Sequence, residues 1–163
     1  MTLSNLSRRL AQVCEIAAAL IFLFVCVLNF TQVIGRYATG TSLTWAEEIM
    51  RYTMMWVMML GGSAAIYRAE HMAVDGVVDM VPERLRHLVR SILYGIAGIF
   101  CVLLLVYGWP AALANQSQRA AASGIPMLLP YLAIPVGAAI MLVQIVLCWI
   151  TGFREAPVEE EAW

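Results

Sequence analysis

Residues 44–79 read TWAEEIMRYTMMWVMMLGGSAAIYRAEHMAVDGVVD, and this stretch decides the fold. Charged side chains lie at both of its ends, whereas residues 52–67 carry no formal charge. A helix over that uncharged segment spans about 24 Å, which is less than the ~30 Å hydrocarbon core of a bilayer. Arg51 and Arg68, which flank the segment, must therefore extend toward the headgroups or form ion pairs. The pattern predicts a membrane-crossing helix with one charged cluster in each interface.

The composition of the whole chain is typical of a membrane protein. Of its 163 residues, 62% are hydrophobic and 13% are charged. The mean hydropathy is +0.80. A soluble domain contains fewer apolar and more charged residues. The formal net charge is −1, so no basic surface for nucleic acid is expected. We therefore predict an all-α integral membrane protein that does not bind nucleic acid.

Four long apolar runs predict four transmembrane helices in a single membrane domain over residues 1–163. The predicted spans are about 14–36, 45–67, 88–115 and 128–151, followed by an acidic tail at 155–163. Valine and methionine alternate with Asp75 and Asp79 after the second run, which indicates a short interfacial helix between the second and third spans.

The positions of the arginines predict the orientation of the four spans. If the N-terminus is cytoplasmic, most arginines lie on the cytoplasmic side. The cytoplasmic set is then Arg8, Arg9, Arg68, Arg84, Arg86, Arg90 and Arg154, and the outer set is Arg36, Arg51 and Arg119. This excess predicts that both termini are cytoplasmic.

The N-terminal region has the layout of a signal sequence, with Arg8 and Arg9 ahead of an apolar run. The run is too long for a signal, no small-residue cleavage site follows it, and further spans come after it. We interpret it as the first transmembrane helix. Glu15 lies just before the 20 uncharged residues 16–35, so we expect it at headgroup level near the two arginines.

The start of the second helix carries the densest set of polar signals. Thr44 and Glu47 have the spacing of a capping box, which predicts that the helix starts near Trp45. Glu47 and Glu48 precede Arg51 by four and three residues, a spacing that favours ion pairs along a helix. Arg36, at the end of the first helix, is a second possible partner across the hairpin.

Small residues within two spans predict close contacts between helices. Gly61 with Ala65, and Ala133 with Gly137, have the small-xxx-small spacing that lets another helix approach. A methionine recurs every fourth residue at positions 50, 54 and 58. Without a nearby cysteine or histidine, these methionines indicate adaptable packing rather than metal binding.

No grouping of residues indicates a cofactor, a metal or a catalytic site. The four cysteines lie singly in or beside apolar runs, which favours buried thiols. His71 and His87 lie in the most polar part of the chain, where haem ligation between helices is not expected. No nucleophile, base and orienting group are grouped in the sequence, so we do not predict an enzyme.

A series of short motifs runs through nearly the whole chain. They are Gly35-Arg36-Tyr37, Trp45-Ala46-Glu47-Glu48, Arg51-Tyr52, Gly61-Gly62, Glu70-His71, Val74-Asp75, Ile125-Pro126 and Ile134-Pro135-Val136-Gly137. In this order they resemble the small, DctQ-like membrane subunit of tripartite ATP-independent periplasmic (TRAP) transporters. The resemblance implies a multi-pass protein of the bacterial inner membrane. It also implies a periplasmic binding protein that delivers an organic acid to a large multi-spanning subunit, where a sodium gradient drives uptake.

In that family the large subunit carries the substrate and sodium sites, and the small subunit is thought to brace it. The candidate interface or structural residues here are Arg36, Trp45, Glu47, Glu48, Arg51, Gly61, His71 and Asp75. One hypothesis is that the first five of these shape the periplasmic surface used by the large subunit or the binding protein. The other is that they form a local ion-pair cluster that places the helix end among the headgroups.

Two functions from other classes remain open on the sequence alone. A small proton-coupled multidrug exporter would also have four helices and could use Glu15, provided that this acid lies within the membrane. A passive membrane anchor for a soluble enzyme is the second, and it predicts a soluble partner rather than a polytopic one.

Overall fold

The computed structural model describes residues 3–40, 43–68 and 83–150, and most of these residues are helical. The four helices are α1 (Leu3–Thr39), α2 (Thr44–Arg68), α3 (Glu83–Ala114) and α4 (Leu128–Ile150). The prediction of an all-α protein is confirmed. His71, Asp75, the predicted interfacial helix and the tail at 155–163 lie outside the described residues.

Three helices are long and apolar enough to cross a membrane, namely α1, α3 from Leu88 and α4. The chain is therefore an integral membrane protein. α2 is not one of the three, because residues 52–67 contain methionine, glycine and aromatic residues in place of most of the leucine and isoleucine found in the others. With 25 residues, α2 is about 37 Å long, so its crossing of the bilayer stays a prediction that rests on length and on packing between spans.

The first helix is longer than the sequence indicated. It begins at Leu3 instead of near residue 14, and its 37 residues extend about 55 Å. The added N-terminal turns belong to the fold, because Ser7 and Ala11 are buried. The helix ends at Thr39 and is followed by Gly40, whose φ of +68° is the left-handed conformation found after many helices. A helix of this length must tilt or project from the bilayer.

The centre of the bundle is α4, which packs against the other three helices. α1 and α2 also pack against each other, whereas α3 packs on α4. α4 can take this place because one of its faces is small: Ala133 and Ala138 are fully buried, and Gly137 between them is buried too. Small side chains let helix backbones approach closely in a membrane, where packing rather than water exclusion drives association.

Two glycines mark the closest approaches to α4. A Cβ atom added at Gly137 would lie 2.9 Å from Met59 Cγ of α2. One added at Gly108 of α3 would lie 3.3 Å from both Ile134 Cγ2 and Pro135 Cδ. The expected close contact at Gly137 is thus present, and its partner is α2; Ala133 is fully buried.

The corresponding expectation for α2 is off by one position. Gly62 meets α4, because a Cβ atom there would lie 2.9 Å from Met141 Cε, whereas one at Gly61 would meet nothing within 4 Å. Ser63 and Ala64 are buried and Ala65 is exposed. Gly61 and Ala65 therefore lie on the side of α2 that faces away from the other described helices.

A polar contact joins α1 to α4 inside the bundle. The side-chain amide of the fully buried Gln144 donates to Ser7 Oγ at 2.7 Å and to the Ser7 carbonyl at 3.3 Å. An amide in an apolar interior is costly without such partners, so this contact determines how the first turns of α1 lie on α4. Cys14, Cys101 and Cys148 are buried as predicted, but Cys26 is exposed on α1.

We expect a leucine at position 137 to destabilise the isolated chain. Gly137→Leu places a side chain against Met59, and overpacking of this kind lowers the free energy of unfolding by about 1–3 kcal/mol. Gly61→Leu is the matched control, with an expected change within about 0.5 kcal/mol because no other described part of the chain lies within 4 Å of a Cβ atom added there. Unfolding by SDS in mixed micelles, followed by circular dichroism, measures both. Equal stability of the two variants would contradict the packing of α2 on α4.

Candidate functional site at the Glu48 end of the bundle

Two adjacent carboxylates at the start of α2 contact two different parts of the bundle. Residues next to each other on a helix point about 100° apart, so Glu47 and Glu48 diverge. The backbone N–H of Ala46 donates to the Leu43 carbonyl at 3.0 Å and completes the first turn. We call this region, with the end of α1 and the loop between α3 and α4, the Glu48 end.

Glu47 joins α2 to the end of α1. Its Oε1 accepts a hydrogen bond from Gln32 Nε2 at 2.9 Å and from Arg36 Nη2 at 3.2 Å. About half of each side chain in the Arg36–Glu47 ion pair is exposed, at 55% and 48%. An exposed pair is screened by water, so it contributes at most about 1 kcal/mol. The predicted pairing across the hairpin is present.

A cleft of about 400 Å³ opens between α1 and α2 beside this pair. Its lining includes Asn29, Gln32, Arg36, Tyr37 and Glu47. Tyr37 is 85% exposed at the rim. The cleft therefore presents both charged and aromatic groups at one end of the bundle.

Glu48 joins α2 to the loop between α3 and α4. Its carboxylate accepts from the backbone N–H groups of Ala122 at 3.1 and 3.2 Å and of Ser123 at 2.9 Å. Ser123 Oγ donates to Glu48 Oε2 at 2.9 Å. Hydrogen bonds to an ionised acceptor are stronger than neutral ones, so Glu48 holds the tip of this loop against α2.

The loop has a backbone conformation that presents these donors. Ala120 N–H donates to the Ile125 carbonyl at 2.9 Å, and Met127 N–H donates to the Gln118 carbonyl at 2.9 Å. Gly124 has a φ of +69°, which a residue with a side chain rarely adopts. The N–H groups at the tip are thus left to point at Glu48.

The expected ion pairs of Arg51 with Glu47 or Glu48 are wrong. Both carboxylates turn toward other elements, and Arg51 forms no ion pair within the described ranges. Arg51 and Trp45 are both exposed. The local spacing was favourable, but the tertiary partners of the carboxylates offered more hydrogen bonds.

At the opposite end of α2, which we call the Arg68 end, an ion pair again joins α2 to α1. Arg68 Nη2 lies 2.7 Å from both carboxylate oxygens of Glu15. The side chains are 69% and 46% exposed. Glu15 was expected near Arg8 and Arg9, and the pair with Arg68 was not predicted, because no local pattern connects residues 53 positions apart.

The structure thus brings Arg36 and Glu47 together, whereas Glu48 contacts the loop between α3 and α4. Trp45 and Arg51 are exposed in the same part of α2. Gly61 lies farther along α2, and His71 and Asp75 are outside the described residues. Sequence reasoning missed Gln32 and the Ser123 loop. Gln32 is a polar residue in an apolar helix and could have been noticed, whereas backbone donors leave no signal in a sequence. Among the described residues, no three His, Cys, Asp or Glu side chains are grouped as metal ligands.

Comparison with known proteins relates this arrangement to a family. The family model described as "Tripartite ATP-independent periplasmic transporters, DctQ component" matches residues 25–155. A C4-dicarboxylate TRAP transporter small permease protein of Vibrio cholerae is 26% identical, with 77% of this chain covering 66% of that protein. A putative TRAP transporter small permease protein of Haemophilus influenzae is 29% identical, with 73% of this chain covering 74% of it.

A larger relative is also similar. The sialic acid TRAP transporter permease protein SiaT of Haemophilus influenzae is 22% identical over 82% of this chain. The match covers only 22% of SiaT. The similar stretch is thus one part of a much longer permease polypeptide.

We expect Glu48→Gln to loosen the loop while leaving the helices in place. The amide side chain retains the size of the glutamate but loses the ionised acceptor, so the Ala122 and Ser123 amides should exchange with solvent about tenfold faster. Hydrogen–deuterium exchange of the purified chain measures this. Glu47→Gln is the matched control, because Glu47 contacts α1 and not the loop. Equal exchange at the loop in both variants would contradict the role of Glu48.

Proposed function

Because the chain belongs to the DctQ component family of the tripartite ATP-independent periplasmic transporters, we propose that it braces the large membrane subunit of such a transporter during uptake. It is a small permease subunit and a multi-pass protein of the inner membrane. The family consists of transporter permease subunits and not of enzymes. The bracing role and its partners are the proposal.

One observation carries the bracing role: three of the four charged side chains of α2 connect it to other elements. Glu47 reaches α1, Glu48 reaches the loop between α3 and α4, and Arg68 reaches Glu15. α2 is thus tied at both ends to the same bundle. Such a bundle can hold a moving partner because its own helices are restrained relative to one another.

The family also suggests which partners and which energy source to propose. We propose that the large multi-spanning subunit carries the substrate and sodium sites, and that a periplasmic binding protein supplies an organic acid. The names of two relatives support an organic acid as the substrate, since one is a C4-dicarboxylate transporter protein and another is a sialic acid transporter protein. SiaT supports a large intramembrane neighbour, because the stretch similar to this chain is a minor part of that permease.

We propose that the Glu48 end faces the periplasm, as the distribution of arginines predicts. The two earlier hypotheses for its residues then apply to different side chains. Glu47 and Glu48 bind other parts of this chain, which supports a structural role for both. Trp45 and Arg51 are exposed, so they are the residues that a partner in the periplasm or the outer leaflet can reach.

The alternative functions receive less support. An exporter requires a Glu15 carboxylate that is available to its cargo, whereas both oxygens of Glu15 are engaged by Arg68 at 2.7 Å. The family match favours a polytopic partner over the soluble one that a passive anchor would require.

We expect uptake to require both this chain and a sodium gradient. In cells with the large subunit and the binding protein, omitting this chain should reduce accumulation of a labelled C4-dicarboxylate or sialic acid to background. Collapsing the sodium gradient in membrane vesicles with a sodium ionophore should do the same. Supplying the chain from a plasmid is the control and should restore uptake. Full uptake without the chain would refute the bracing role, and full uptake without the gradient would refute sodium coupling.

A further inference from the structure

The outer side of α2 forms a continuous face that no other part of the described chain covers. Its members recur every three or four residues, so they share one side of the helix. They are Arg51, Met54, Met58, Gly61, Ala65 and Arg68, which we call the open face. Met58 is 69% exposed, and all the others except the half-buried Gly61 are exposed.

Lipid is a poor occupant for this face. The outer sides of α1 and α3 carry large apolar side chains such as Phe30 and Ile99, and both helices are apolar enough to face acyl chains. α2 is the one described helix that is not apolar enough by the same measure. Its open face has an arginine at each end, about 26 Å apart along the axis, within the ~30 Å of the hydrocarbon core. Exposure of such a face to acyl chains is unfavourable, because charge near hydrocarbon is costly.

The two arginines differ in one respect. Arg68 has an acidic partner within this chain, Glu15 at 2.7 Å. Arg51 forms no ion pair within the described ranges, since Glu47 and Glu48 bind elsewhere. An arginine that must stay near the hydrocarbon boundary is stabilised by a carboxylate, so the occupant of the open face should supply one.

The middle of the face has room for a helix. A Cβ atom added at Gly61 would meet nothing within 4 Å, whereas the neighbouring Gly62 is covered by Met141 of α4. A larger residue at position 61 would therefore disturb no packing among the described helices. Beside it, Met54 and Met58 provide flexible side chains that adapt to a partner surface.

We propose that the open face of α2 docks a transmembrane helix of the large membrane subunit, and that an acidic side chain of that subunit meets Arg51. This inference rests on the proposed function, which supplies the large subunit as a neighbour. A second copy of this chain fits less well. Two copies inserted in the same orientation would place Arg51 against Arg51 at the same depth, where like charges repel.

The test uses the tagged chain co-expressed with its large subunit, extracted in mild detergent and purified through the tag. Gly61→Leu should lower the molar ratio of large subunit to tagged chain about tenfold, because the added side chain occupies the docking position. Gly95→Leu on α3 is the matched control, since a Cβ atom there also meets nothing within 4 Å. Arg51→Glu should lower the ratio as well, and Arg51→Lys should retain most of it.

The outcomes separate this inference from the proposed function. If the wild-type chain recovers the large subunit and Gly61→Leu recovers it equally, the docking face is wrong and the proposed function stands. If the wild-type chain recovers no large subunit, the proposed function fails. The stability of Gly61→Leu as an isolated chain, measured as above, shows whether a lost complex reflects misfolding.

A photo-crosslinking residue at position 58 gives a second, independent measurement in intact membranes. We expect an adduct with the mass of this chain plus the large subunit, and none when the same residue replaces Ile99 on α3. An adduct only with a second copy of this chain, or only with lipid, would overturn the inference.

Discussion

An ionised side chain near the hydrocarbon of a bilayer must have partners, and the arrangement of this bundle depends on that constraint. Glu48 meets it with two backbone N–H groups and a hydroxyl from the loop between α3 and α4. Glu47 and Arg68 meet it with side chains of α1. Because each partner lies on another element, satisfying the charges of α2 also positions its neighbours.

The same helix has two sides with different roles. Toward the bundle, Gly62 and the buried Ser63 and Ala64 let α2 lie close to α4, whose own small residue Gly137 meets Met59. Away from the bundle, the open face keeps Gly61 uncovered and Arg51 without an ion pair in the described chain. A helix that is less apolar than its neighbours is thus stabilised on one side and available on the other. This is the property expected of a subunit that works by contact with a larger one.

The position of α4 explains how four helices with little polar surface form one bundle. α1 and α3 both pack on α4, and between them they leave large apolar surfaces for lipid or for other subunits. Gln144 and Ser7 add a directional contact where apolar packing alone would let α1 slide or rotate. Packing of small residues therefore determines how closely the helices approach, and a few polar contacts determine how they are aligned along their axes.

The sequence by itself determined the class of the protein and the approximate ends of two of the four helices, α2 and α4. Hydropathy predicted an all-α membrane protein, and the ends of α2 and α4 were expected within one residue of Thr44–Arg68 and Leu128–Ile150, because apolar length and charged flanks are local properties. The ordered motifs also indicated the family that residues 25–155 match.

Only the tertiary structure decided which charges pair and which glycine is covered. Arg51 had the favourable local spacing, yet Glu48 binds backbone donors some 75 residues away, and Glu15 binds Arg68. Likewise Gly62, not Gly61, meets α4. Helical periodicity specifies the faces of a helix, but which neighbour lies against each face depends on long-range packing that no local spacing encodes.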